Sequence, residues 1–109
     1  MIVCQTSPDS ILFKSGGTTY GSLFGSPDNL EVTLADKELL RHESQHAYQW
    51  AANPYGMAEM YPLEFRRAAA QYTEYEENGG SALISEGQCF NRFEIDANLV
   101  DGHYKCVAQ

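Results

Sequence analysis

The chain has 109 residues, 43% hydrophobic and 20% charged, the proportions of one globular domain rather than a disordered segment. Its formal charge of -8 disfavours a nucleic-acid backbone or an anionic membrane surface as partner, because both would repel it, and favours a bound cation. No apolar run approaches the ~20 residues needed to span a bilayer, and the first residues lack the basic start and long apolar stretch of a signal peptide; the expectation is a cytoplasmic chain or a domain of a larger parent.

In chain order, residues 2–5 and 11–14 are short runs rich in Ile, Val, Leu and Phe, and both read as strands with a Ser-Pro-Asp turn between them. Residues 18–24 carry Thr, Tyr and Phe, are interrupted by Gly21, and stop at the turn formers 25–29; they form a second hairpin strand closed at Gly16-Gly17. Residues 30–33 add a further extended piece, so the N-terminal third is expected to be a small antiparallel sheet.

A capping pattern, Thr33 followed by Asp36 three residues on, predicts a helix that ends near Asn53, because Pro54 disfavours helical backbone before it. Leu39, Leu40, Ala47, Trp50 and Ala51 recur along it at helical spacing as an apolar face. After a turn at 53–56, residues 57–61 could make a helical turn, and Pro62, tolerated at the first helical position, opens a second helix that Asn78-Gly79-Gly80 stops. Residues 82–85, 87–93 and 104–107 read as extended, with a turn at Asp101-Gly102, although 93–100 could instead be a short helix with Phe93, Ala97 and Val100 on one side. The fold class is α+β: a small N-terminal antiparallel sheet packed on two helices, then a short extended C-terminal segment, all in a single domain over 1–109.

Cys4, Cys89 and Cys106 form no C-x-x-C pair, so neither a zinc ribbon nor a dense disulfide framework is indicated. Cys89 and Cys106 flank two extended segments and could pair across them; three ordinary buried or free thiols are the alternative.

The first helix carries His42-Glu43-Ser44-Gln45-His46. Residues four apart share a helix face with Cβ atoms about 6 Å apart, so both imidazoles can reach one zinc ion at about 2.0–2.1 Å. Glu43 is rotated about 100° from His42, which places its carboxylate beside the ion as a general base for a metal-activated water. A third ligand is needed, and the pattern with a third His six residues after the second fails because Ala52 stands there. A Glu on the next helix is the other common solution: Glu64, eighteen residues after His46, is the first choice, Glu59 the second and Glu74 a distant third.

The run from Leu39 to His46, followed by Gln49-Trp50 and by Tyr61-Pro62-Leu63-Glu64-Phe65, resembles the gluzincin branch of the zinc metallopeptidases. It is similar, more narrowly, to short bacterial H-E-x-x-H-x-x-Q domains of secreted or toxin-like proteins, over roughly residues 18 to 70. Where thermolysin-like relatives place an Asp four residues after the ligand Glu, this chain has Ala68, so the partner that orients each ligand His must come from elsewhere. The resemblance implies a minimal zincin-like metallopeptidase domain with Zn2+ on His42, His46 and Glu64, cutting a peptide or protein substrate, with a larger parent chain or an inhibitor as further partners. Glu43 would take the proton of the attacking water and pass it to the leaving amine. His103, Tyr104, Tyr55, Tyr61 and Tyr72 are candidate donors to the oxyanion, with an exposed turn His as the plain alternative for His103. An unpaired edge strand at 18–24 could receive an extended peptide. A metal-stabilised, non-catalytic binding or effector module and a metal-free interaction protein are the competing functions.

Overall fold

A computed structural model describes residues 1–7, 17–81 and 84–106, and it has the expected α+β architecture. Three short strands, β1 (Ile2–Gln5), β2 (Thr18–Tyr20) and β3 (Leu23–Ser26), form a sheet in the order β1-β3-β2. The helices are α1 (Leu30–Ala35), α2 (Lys37–Ala52), α3 (Pro54–Glu77) and α4 (Arg92–Asp96), with a 3-10 turn (Gly87–Phe90) before the last. Among the described residues no helix is long and apolar enough to cross a membrane.

The sheet is mixed rather than antiparallel: β3 pairs antiparallel with β2 and parallel with β1, Val3 and Thr19 both standing opposite Phe24. The segment expected as one strand over 18–24 is instead a tight hairpin, because Gly21 takes the positive φ of 60° that turns β2 back into β3. The expected strand over 11–14 and the Gly16 end of the expected hairpin turn lie outside the described residues. Phe24, fully buried, is the largest apolar side chain of the sheet layer, and the backbone of Gly17 closes over its ring so tightly that a Cβ there would stand 2.7 Å from it.

The helical part departs from expectation in three places, each for reasons of capping. Residues 30–33 are not extended, since Asn29 accepts the backbone N–H of Glu31 at 2.9 Å and starts α1. Asp36 then leaves helical geometry (φ -86°, ψ 85°) and accepts the N–H of Leu39 at 3.1 Å, so α2 begins at Lys37 rather than after Thr33. Likewise α3 begins at Pro54, because Asn53 accepts the N–H of Gly56 at 3.0 Å and Pro54 needs no donor at the first position; Pro62 lies inside the helix.

The face of α2 that is buried is not the apolar stripe but His42, Glu43 and His46. Beyond α3 the chain folds back along it, and the 3-10 turn and α4 replace the extended segment expected at 87–93. Ile84 and Cys106 form an isolated antiparallel bridge, the remnant of the expected C-terminal strand pair, and Cys89 and Cys106 are joined by a disulfide. Because Phe24 is fully buried against the backbone of Gly17, Phe24→Ala is expected to lower unfolding stability by about 3–5 kcal/mol; a denaturant titration showing a loss under about 1 kcal/mol would place the core elsewhere.

Candidate metal centre

Three acceptor atoms from two distant parts of the chain meet at one point. His42 Nε2 is 2.8 Å and His46 Nε2 3.0 Å from Glu94 Oε1, and the two Nε2 atoms are 3.1 Å apart. All three residues are buried, at 1%, 6% and 2% exposure respectively. His42 and His46 come from successive turns of α2, and Glu94 from α4, which Asn91 starts by accepting the N–H groups of Phe93 and Glu94.

The other nitrogen of each ring fixes its tautomer. His42 Nδ1 is 2.7 Å from the carbonyl oxygen of Asn98, which can only accept, so Nδ1 donates. His46 Nδ1 is 2.8 Å from Gln49 Oε1; the Gln49 amide is oriented by its own Nε2–H, which donates to Phe93 O at 3.0 Å, so His46 Nδ1 donates as well. Both Nε2 lone pairs therefore aim at the Glu94 oxygen, an arrangement of three acceptors that needs a cation between them. Donors about 2.1 Å from one tetrahedral ion stand ~3.4 Å apart, a few tenths of an ångström more than the spacings here. The set of His42, His46 and Glu94 could hold a metal ion, with a fourth position left for another ligand.

Two phenols complete the surroundings of Glu94. Tyr61 donates to Oε2 at 2.6 Å and Tyr104 to Oε1 at 3.0 Å. Burial and the neighbouring carboxylate push both tyrosine hydroxyls above their ordinary range, so they remain donors. Burial would raise the Glu94 carboxyl, but the hydrogen bonds with His42 and His46 outweigh it and hold Glu94 below the usual carboxylate range. Burial opposes the charged form of both imidazoles too, yet the Glu94 carboxylate prevails and raises His42 and His46.

Glu43 is buried, and Thr19 of β2 donates to its Oε2 at 2.6 Å. Burial raises its carboxyl, the Thr19 bond and the two imidazoles opposing this only in part. In the strand order β1-β3-β2, the strand that steadies Glu43 stands at one end of the three.

The first choice for a third ligand, Glu64, lies elsewhere in this structure. Glu64 does not join the group: Arg67 grips its carboxylate with two donors at 2.7 Å each, and its Oε2 also accepts the N–H of Arg92 at 2.8 Å. The Arg67 hydrogen bonds hold the Glu64 carboxyl below its ordinary value despite burial. Arg67 further donates to Phe90 O at 2.6 Å, so Glu64 and Arg67 together fasten the turn that leads into α4 and Glu94. Glu59 and Glu74 are exposed on α3 and lie outside the group as well. His103 is not gathered at the centre either; its Nε2 is 2.8 Å from Asp36 Oδ2 at the start of α2. Of the tyrosines, Tyr61 and Tyr104 reach the centre, Tyr55 is 88% exposed, and Tyr72 packs near Phe90. Sequence reasoning missed Glu94, Asn98 and the orienting role of Gln49; Asn91-x-x-Glu94 has the form of a helix start, but nothing in it names the partner of Glu94.

Elemental analysis is expected to find one divalent metal per chain in the parent protein and in Glu64→Gln, and none in Glu94→Gln; metal lost from the Glu64 variant alone would reverse the assignment. Adding a divalent ion to metal-free protein should release protons, and affinity should weaken as pH falls from about 8 to about 6, because metal and proton compete for His42 and His46. An indicator titration with no proton release and a pH-independent affinity would count against a centre built on these imidazoles. The chain matches no protein-family model, no curated protein and no solved structure, so the case for a metal rests on the convergence of His42, His46 and Glu94 itself.

Proposed function

We propose that this chain is a zinc-dependent hydrolase of peptide bonds, of the H-E-x-x-H class, with His42, His46 and Glu94 as ligands and Glu43 as general base. The observation that carries the reading is the state of Glu43. It sits one residue from a ligand, buried, with a carboxyl raised by burial and one oxygen held by Thr19, while no described residue hydrogen-bonds the other oxygen. A carboxylate so placed is oriented yet still able to accept a proton, and burial shifts its basicity toward neutral pH. Two imidazoles and one carboxylate are a ligand set suited to zinc, which when bound would polarise a peptide carbonyl and activate water for attack.

The roles of the chain's own groups follow. Thr19 Oγ1 fixes the Glu43 carboxylate through Oε2, leaving Oε1 to take the water's proton and return it to the departing amine. Gln49 and the Asn98 carbonyl keep both Nε2 atoms unprotonated toward the ligand side. Tyr104, a protonated phenol 3.0 Å from Glu94 Oε1, stands near enough to the ligand oxygen to be the donor for a developing oxyanion, with Tyr61 on the opposite carboxylate oxygen.

One observation favours a second reading, a closed metal site that only stabilises a binding or effector module: the three ligands are at least nine-tenths buried, whereas a catalytic ion must meet substrate. A single pair of measurements separates the two. Under the hydrolase reading, the zinc-loaded protein cleaves members of a fluorogenic peptide library, and Glu43→Gln lowers the rate about 100-fold or more while keeping its zinc. Unchanged cleavage in Glu43→Gln would remove the assigned role, and no cleavage in a protein whose unfolding depends on zinc would establish the closed site.

A further inference from the structure

Everything the C-terminal part of the chain contributes to the metal centre lies inside one covalent loop. The disulfide joins Cys89 to Cys106, seventeen residues apart. Between them fall Glu94, the third ligand; Asn98, whose carbonyl takes the His42 Nδ1–H; Gly102; and Tyr104, which donates to Glu94. Gly102 lies against the His42 ring so closely that a Cβ there would stand 2.7 Å from Cε1 and 2.8 Å from Nδ1. The remaining two ligands are on α2, outside the loop.

Few other ties fasten the loop to α2. Arg41 pairs with Asp101 at 3.2 Å and His103 with Asp36 at 2.8 Å, but the Arg41 and His103 side chains are 63% and 50% exposed, and exposed pairs hold little. Gln49 of α2 also donates to Phe93 O at 3.0 Å, and of the loop's apolar side chains Ala97 is buried while Ile95 and Val100 face solvent. A chain segment held this way depends on its ends. One end is anchored by Glu64 and Arg67 at Phe90 and Arg92; the other is anchored by the disulfide, the bridge of Cys106 to Ile84, and two exposed hydrogen bonds of Lys105, whose N–H donates to Glu86 at 3.1 Å and whose carbonyl accepts from Ser85 at 3.3 Å.

We propose that the Cys89–Cys106 disulfide sets the metal affinity of the centre although neither cysteine ligates the metal, so that reducing it loosens the bound ion. With the loop closed, Glu94, Asn98 and Tyr104 are already confined near α2, and little ordering is left for metal binding to impose. On reduction each sulfur gains one electron and one proton; a phosphine reductant becomes its oxide with oxygen from water, or a dithiol becomes a disulfide. The C-terminal end of the loop is then released, and metal binding must order it. By reciprocity a bound ion makes the disulfide harder to reduce by the same factor. The proposal concerns metal affinity and holds whether or not the centre turns over peptide.

The test is zinc affinity, measured by competition with a chromogenic chelator, for three forms of the full chain. These are the oxidised protein, the phosphine-reduced protein with its thiols alkylated, and Cys89→Ser/Cys106→Ser; alkylation and the double variant keep new thiols from binding zinc. Affinity is expected to fall about tenfold or more in the last two forms while the helical circular dichroism signal persists. Gly102→Ala keeps the disulfide but lifts the loop from His42, and it too should weaken binding about tenfold. Affinity within about twofold of the oxidised protein in the reduced form, or in Gly102→Ala, would overturn the proposal. So would loss of the helical signal on reduction, because the disulfide would then support the whole fold rather than the loop.

Discussion

Three hydrogen-bond acceptors that meet at 2.8–3.1 Å in a buried place repel one another unless something positive lies between them, and this constraint organises the molecule. His42 and His46 cannot relieve it by turning, because Asn98 O and Gln49 Oε1 hold their Nδ1–H groups. Glu94 cannot withdraw, because Tyr61 and Tyr104 hold its oxygens. A divalent ion bound between them would relieve that repulsion with charge and fixed direction.

The apolar core does little to bring these groups together. Among the described residues the buried hydrophobic side chains are Phe24, Met57, Ala68, Ile84, Cys89 and Ala97, while Val32, Tyr48, Tyr55 and Val100 stand largely in solvent. A domain of this size has modest capacity for burial, and cross-links compensate where burial falls short. Here the cross-links are the disulfide, the Glu64–Arg67 pair bonded to the start of α4, and the polar cluster itself. The buried face of α2 is accordingly that of His42, Glu43 and His46, and the apolar stripe of Leu39, Leu40, Trp50 and Ala51 is only partly covered.

Glu64 illustrates how a sequence signal can be sound in kind and misplaced in role. A carboxylate early in a helix after the motif is a reasonable ligand, and Glu64 is indeed buried next to the ligand-bearing segment. Arg67, one turn along, captures it, since a guanidinium three residues away on the same helix face forms a two-donor grip that no distant ion displaces cheaply. Glu64 instead accepts the N–H of Arg92 and so helps fasten the segment that carries Glu94.

The α+β class, the first strand, the helix bearing His42, Glu43 and His46, the relation of the two histidines and the pairing option for Cys89 and Cys106 were legible in the sequence, because each depends on residues near one another in the chain or on a periodicity that local geometry imposes. Helix boundaries were legible less well: Asp36 and Asn53 each satisfied a helix start, and the choice among competing caps depends on which backbone donors packing leaves exposed. The parallel pairing of β1 with β3, the displacement of Glu64, the arrival of Glu94 from 48 residues beyond His46, and the carbonyl of Asn98 against His42 were decided by tertiary structure alone. The physical reason is that a helix presents two ligands by its own pitch, whereas the third is set by how the chain after α3 folds back, and no local spacing records that return.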